Sequence, residues 1–404
     1  MAQTPGRHRG GILQRSFYLA QNRATATRGP VKGAVQSSGS DEAGIEFADE
    51  IQALIGRADL DDYLDANPAL PLRLHERTLW LAEHAYTSDD PAARHQLHKT
   101  LYFLYEDNLK PAGLSAAHNQ FNPFLIRLRN TLERSWERFE LGRIATDITQ
   151  IPAEPAAFSA YFRSICAANP VVGHALFDFL AEKATRADLT NFFLSDAAVV
   201  VRFCDLVVLS MVGVDDEVRP ELAENFWDEM GRGRFQDRHV HLYRDLLEYA
   251  GVNLAVESLD THQLAAHLRW QGLAGYNLYL FLCLHRRNQF RSLGALGAAE
   301  MMDPAQYRKV LIGCRRVGLH DDERLAYYKG HEEVDVAHGD GWLENVLLPL
   351  VRKYPEARRE IVHGAIMRFN ITADYYDDLL ARLSAGRHDN ITSLVAPRVD
   401  SAAE

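Results

Sequence analysis

The chain is expected to be all-α, and three observations predict it. From residue 45 onward, apolar side chains recur at spacings of three and four rather than two. No apolar/polar alternation runs long enough to make a strand, and no internal repeat is present. The helical series is interrupted by one segment, Gln150-Ile151-Pro152-Ala153-Glu154-Pro155, whose two prolines mark a boundary.

Ile45, Phe47, Ile51, Leu54 and Ile55 open the first amphipathic helix. Leu79, Leu81 and Ala85 lie on a second, and Leu97, Leu101, Leu104 and Tyr105 on a third. Phe124, Leu125, Leu128, Leu132 and Trp136 continue the series. Beyond the boundary the period predicts helices over about 188–212, 217–231, 237–250, 273–287, 294–316 and 321–351. Residues 1–43 carry six basic side chains from Arg7 to Lys32, no acid before Asp41 and no apolar period, and read as a disordered tail. The organisation expected is therefore tail 1–43, a helical N-terminal domain 44–150, a helical bundle 151–384 and a flexible C-terminal tail 385–404.

Composition narrows the function. With 404 residues and 47% hydrophobic side chains, the chain can bury a substantial core. A net charge of −11 disfavours nucleic acid or an anionic membrane surface as partner. Cys166, Cys204, Cys283 and Cys314 are scattered without a C-x-x-C pair, which points to free thiols in a reducing compartment. No apolar run reaches membrane-span length and no signal-like segment follows the start, so a cytoplasmic location is expected.

The strongest motif is His331-x3-Asp335-x2-His338, whose positions i, i+4 and i+7 stack on one helix face. Two imidazoles and a carboxylate so placed supply most of a nitrogen/oxygen metal site. The plainer reading is a solvated polar face, because Glu332 and Glu333 stand beside them. Other acids strengthen the metal reading. Glu229 is followed ten residues later by His239, with Gly231 and Gly233 between them to turn the chain. His241 rivals His239. Glu300 is the lone carboxylate on the small-residue helix Gly294-Ala295-Leu296-Gly297-Ala298-Ala299, which allows close helix contact. Asp196 sits inside the apolar run around Phe192-Phe193, where an unpaired charge is costly. Asp196, Glu229, Glu300 and Asp335 together would neutralise two divalent cations, while three imidazoles suit iron. Arg202, on the helix of Asp196, is a candidate for holding a substrate carboxylate. The other histidines, His98 and His285 among them, lack such company.

The order Asp196, Glu229, His239, Glu300, His331, Asp335, His338, with Asn225-Phe226-Trp227-Asp228-Glu229-Met230-Gly231 and His239-Val240-His241-Leu242-Tyr243, resembles the haem-oxygenase-like di-iron oxidases, the iron-containing redox enzymes. The resemblance spans about residues 155–351. It implies a haem-oxygenase-like helical bundle in which all seven residues are metal ligands, with no catalytic residue beyond them. Asp196 departs from the family, which has Glu there. The implied cofactor is two Fe2+ ions, an iron/manganese pair suiting the same ligands. The implied partners are O2, a small amino-acid-derived substrate and an external electron donor. The layout is similar to the N-oxygenase branch, in which a helical extension supports a homodimer; N-oxygenation is accordingly the expected reaction. Oxidative C–C cleavage or desaturation of a fatty or amino acid is the alternative. A non-catalytic helical scaffold is the competing class. A haem binder is disfavoured, because haem needs axial ligands rather than a cluster of acids.

Overall fold

A computed structural model of the chain describes residues 46–110, 117–252, 267–301 and 304–387, excepting the side chains at 304, 305 and 332–337. The expected tail 1–43 and the end of the chain from 388 lie outside the described residues. Every regular element among the described residues is helical, as the apolar period requires.

The first five helices are α1 (Phe47–Ile55), α2 (Leu60–Ala66), α3 (Ala69–His84), α4 (Pro91–Glu106) and α5 (Pro123–Gly142). Helices α4, α5 and α6 (Pro155–Ala168) share one start signal. A proline fills the first helical position and the residue before it, Asp90, Asn122 or Glu154, accepts two backbone N–H bonds. The boundary expected at 150–155 is thus where α6 is capped. After α7 (Ala175–Glu182) comes α8 (Arg186–Val200), opened by a reciprocal Thr185–Asp188 capping box.

The helix expected over 188–212 is two. It breaks at Val201–Arg202 before α9 (Phe203–Met211), after the β-branched run Val199-Val200-Val201 and where Arg202 is drawn 2.8 Å from Glu106. Then follow α10 (Arg219–Glu229), α11 (His239–Ala250) and α12 (Trp270–Leu284). The segment expected over 294–316 is also two helices, α13 (Gln289–Glu300) and α14 (Pro304–Arg316), because Pro304 starts a helix and cannot continue one. The last expected helix runs as α15 (Ala326–Gly341), a π-helical turn at Trp342–Leu347 and α16 (Leu348–Lys353). The wider turn accommodates Pro349, which lacks an N–H and would crowd the preceding turn of a regular helix.

The longest helix, α17 (Ala357–Ser384), lies against α13 at backbone distance. A Cβ on Gly294 would collide with the Ile361 carbonyl, and one on Gly364 with the Arg291 carbonyl. The small residues that suggested close helix contact are therefore used for it. Around this pair, α4 packs on α12, α11 on α8, and α15 on both α14 and α11. The N-terminal helices and the later bundle share one hydrophobic core, in which Trp136 and Trp342 are both fully buried.

Candidate metal centre

Three of the expected ligands stand at helix ends. Glu229 is the last residue of α10, Glu300 the last of α13 and His239 the first of α11. A carboxylate at a helix C-terminus faces the negative end of the helix dipole, and Glu229 and Glu300 are also buried, at 7% and 8% exposed. Such placement demands a positive charge nearby.

The turn between α10 and α11 brings two of them together. Gly231 adopts φ 63° and lies against the backbone at Asp237–Arg238, where a Cβ would come within 2.6 Å. Ten residues apart in sequence, Glu229 Oε1 and His239 Nδ1 meet at 3.0 Å. His331, from α15, places its ring 4.4 Å from that of His239. Donor atoms of Glu229, His239 and His331 all lie within 4.8 Å of one another. His239 Nδ1 is buried yet makes no well-formed hydrogen bond, so its lone pair or proton is aimed at the cluster without a proper partner. His241 instead lies against the Phe235 ring, so the geometry selects His239.

The tautomers are set from outside. The Tyr327 carbonyl can only accept, so His331 Nδ1, 2.6 Å away, carries the proton and leaves Nε2 for a ligand. Burial lowers the His331 pKa to about 4, which keeps the ring neutral. Burial also disfavours charge on His239, but the adjacent Glu229 carboxylate outweighs it and raises the pKa.

A second group sits beside the first. His338 Nδ1 is 3.6 Å from Glu300 Oε2, and its Nε2 is 3.0 Å from Asp228 Oδ2. Burial works against charge on this ring, yet Glu300 and Asp228 together raise its pKa to about 9. Asn225 Nδ2 donates to Glu300 Oε1 at 3.4 Å. Asp335 lies on the helix backbone between His331 and His338, but its side chain is outside the described residues. Asp196 lies apart from the close triad, on the wall of an adjoining cavity, where its Oδ1 accepts from the Tyr375 hydroxyl at 2.9 Å.

That cavity is lined by Glu229, Glu300 and His331 on one side and by Phe177, Phe192, Val199 and Phe203 on another. Its polar wall includes Arg368, whose Nε donates to the Tyr279 hydroxyl at 2.6 Å. Arg202 does not line this cavity; it pairs with Glu106 and with Asp205 at 3.3 Å. Sequence reading missed Asp228, Asn225, Tyr375 and Arg368. The signal for Asp228 was its place beside Glu229, but neighbours in a helix diverge in direction, so adjacency alone does not reveal the His338 contact. The donor types, the poorly aligned His239–Glu229 contact and the carboxylates at two helix C-termini fit a bound cation such as iron.

Residues 190–373 match the family model described as iron-containing redox enzyme. A 4-chloro-allylglycine synthase of Streptantibioticus cattleyicolor is 27% identical over 173 residues, 43% of this chain and 62% of that enzyme, so the chain spans less than two thirds of this relative. Among solved structures, a CADD-like protein of unknown function from Nostoc punctiforme is 17% identical, covering 58% of this chain and 98% of its own, with a TM-score of 0.43. A domain of unknown function with a heme oxygenase-like fold from Shewanella denitrificans is 16% identical, covering 61% and 99%, with a TM-score of 0.41. The stretch matched by the family model contains every residue of the cluster, so the likeness to iron-containing redox enzymes falls on the part of the chain that builds the site.

Proposed function

We propose that the cluster holds two iron ions and that the protein uses O2, with electrons from an external donor, to oxidise a small amino-acid-derived substrate. The observation that supports this most is the convergence of Glu229, His239 and His331 on one point at the edge of a cavity that also presents a guanidinium. Those three would hold one iron. Glu300 and His338, with Asp335 on the same helix face and Asp196 from the cavity side, would serve the other. An iron/manganese pair suits the same donors. Bound there, the metals supply the electrons and Lewis acidity that O2 chemistry needs.

The chain's own residues do the rest. Tyr327 and Asp228 orient the two imidazoles of α15. Phe177, Phe192, Val199 and Phe203 keep water from the cavity wall. Arg368, rather than Arg202, is the guanidinium placed to hold a substrate carboxylate by paired N–H bonds. Arg368, Thr372 and Tyr375 lie on one face of α17, so a substrate's polar end would lie along that helix.

The reaction expected from the layout is N-oxygenation. A second reading, oxidative C–C cleavage or desaturation, is favoured by the named product of the Streptantibioticus relative, an unsaturated amino acid. The test is to load the full chain with Fe2+ without oxygen, count the metal, then add O2, a reductant and a panel of amino acids. Two irons per chain, O2 uptake and a product heavier by one oxygen support N-oxygenation. A product lacking two hydrogens or a carbon fragment supports the second reading. A protein that binds no iron and consumes no O2 overturns both.

A further inference from the structure

On the outer side of the centre lies an open groove that shares no lining residue with the substrate cavity and, apart from His338 and Asp228, is built of residues with no role in the chemistry above. Glu221, Glu224, Asn225 and Asp228, spaced by three and four, line it from one face of α10. Asp340 and Glu344 line it from the end of α15 and the π-helical turn. Gly341 closes the gap between the two walls, since a Cβ there would run into the Glu221 carboxylate. Five carboxylates therefore share the groove with one lining arginine, Arg232, which pairs with Asp228 at 2.6 Å. Arg163 reaches the rim, 2.7 Å from Asp340 and 3.4 Å from Glu344.

An acidic face alone is ordinary surface. The floor of this one is not. Asn225 is 2% exposed, and its Oδ1 is buried without a hydrogen-bond partner. A buried acceptor left unsatisfied costs about 1–3 kcal/mol, and an amide oxygen is a good donor to a divalent cation. The Nδ2 of the same side chain holds Glu300, and His338, which also lines the groove, faces Glu300 from the other side. Asn225 and His338 are thus the partition between the groove and the centre.

We propose that this groove is the route by which the divalent metal enters the centre, with Asn225 Oδ1 handing the cation from the surface carboxylates to Glu300. The inference rests on the metal-centre reading above. A cleft lined by one sign of charge concentrates counter-ions and speeds their arrival, and salt weakens the effect.

The test uses the metal-free full chain and Co2+, followed by its visible absorbance in rapid mixing. The double variant Glu224→Gln/Glu344→Gln is expected to slow Co2+ association by about tenfold at low salt. Dissociation should slow by the same factor, because a route changes both rates and leaves the affinity unchanged. Arg163→Gln should act in the opposite direction and speed association. A remote pair of the same charge change, Glu76→Gln/Glu182→Gln, both exposed, should alter neither rate. Unchanged rates in the groove variant, an equal slowing in the remote pair, or a loss of affinity at constant association rate would each overturn the route while leaving the metal centre intact. If the unaltered chain binds no Co2+ or Fe2+ at all, the centre itself fails, and the route with it.

Discussion

Glu133 and Glu229 are both nearly withdrawn from water, at 1% and 7% exposed, yet their surroundings answer the charge in different ways. Around Glu133, on α5, every neighbour is a donor. The Tyr105 hydroxyl and His285 Nε2 each lie 2.9 Å from its Oε1, and Arg129 stands 3.4 Å away. His98, in the same region, has partners at both ring nitrogens, Tyr86 at 2.7 Å and Asn277 at 3.3 Å, and burial holds its pKa at about 3. Around Glu229 the neighbours are themselves ligands. His239 faces it without a well-formed bond, and His331 brings a ring nitrogen within 4.8 Å of the other two donors. One carboxylate is answered by donors, even though Arg129 Nε pairs with it without a well-formed hydrogen bond; the other shares its space with two imidazoles that can bind the same cation. That difference separates a structural polar core from a functional one more reliably than burial or residue type does.

The comparison breaks most sharply under truncation. His331→Ala and Glu229→Ala are each expected to abolish iron retention at one or both sites, a loss of at least about a hundredfold in affinity. Helical content, read by circular dichroism, should stay near that of the parent. Glu133→Ala should do the reverse. Removing one partner of a buried charged network costs about 3–5 kcal/mol of stability, while iron per folded chain stays unchanged. Full iron occupancy in His331→Ala, or lost iron in folded Glu133→Ala, would show that the two clusters do not differ in kind.

A smaller effect sharpens the functional side. Asp228 touches no proposed iron directly but holds His338 Nε2, so that Nδ1 faces Glu300. Asp228→Asn is expected to weaken metal binding by about 10–100-fold, the usual cost of losing a carboxylate behind a histidine ligand. Equilibrium titration with Fe2+ under anaerobic conditions checks it, and an unchanged affinity would reduce Asp228 to a surface partner of Arg232.

Much of this was legible in sequence, for physical reasons that differ by residue. His331 and His338 share a helix, so helical arithmetic alone puts them on one face. Gly231 and Gly233 announced a turn, and the turn does carry His239 back to Glu229. Gly294 announced a close helix pair, and it packs on the backbone of α17. The breaks at Arg202 and Met301 were read as continuous helix, because the first depends on the Glu106 contact and the second on how much weight a single proline receives. Arg368 stayed hidden because it lies thirty residues beyond the last ligand, on another helix, and only packing turns it to the cavity. Asp228 was hidden by Glu229, whose neighbour it is. Contacts made across the fold were the part that periodicity could not supply.

The structural region contains one carboxyl that no cation fully answers, and it offers the mildest prediction. Glu140 lies in the last turn of α5, 3% exposed, with Trp136 Nε1 at 3.3 Å. Arg143 is 3.3 Å away but is shared with Asp374, which it meets at 2.6 Å. Burial outweighs the attraction of Arg143, and the pKa rises from 4.5 to about 7. The folded chain then holds a proton that the unfolded chain releases between those two values. Stability from this group is therefore fully present below about pH 4.5 and declines as pH rises towards 7, levelling off above. Glu140→Gln carries a permanent neutral side chain of the same shape and removes that slope. Its stability relative to the parent, from urea unfolding at fixed ionic strength, should climb by about 2 kcal/mol from pH 5 to pH 8. A constant difference across that range would mean that Arg143 keeps Glu140 ionised. Glu140 would then join Glu133 as a charge answered by its neighbours, rather than one withdrawn by protonation.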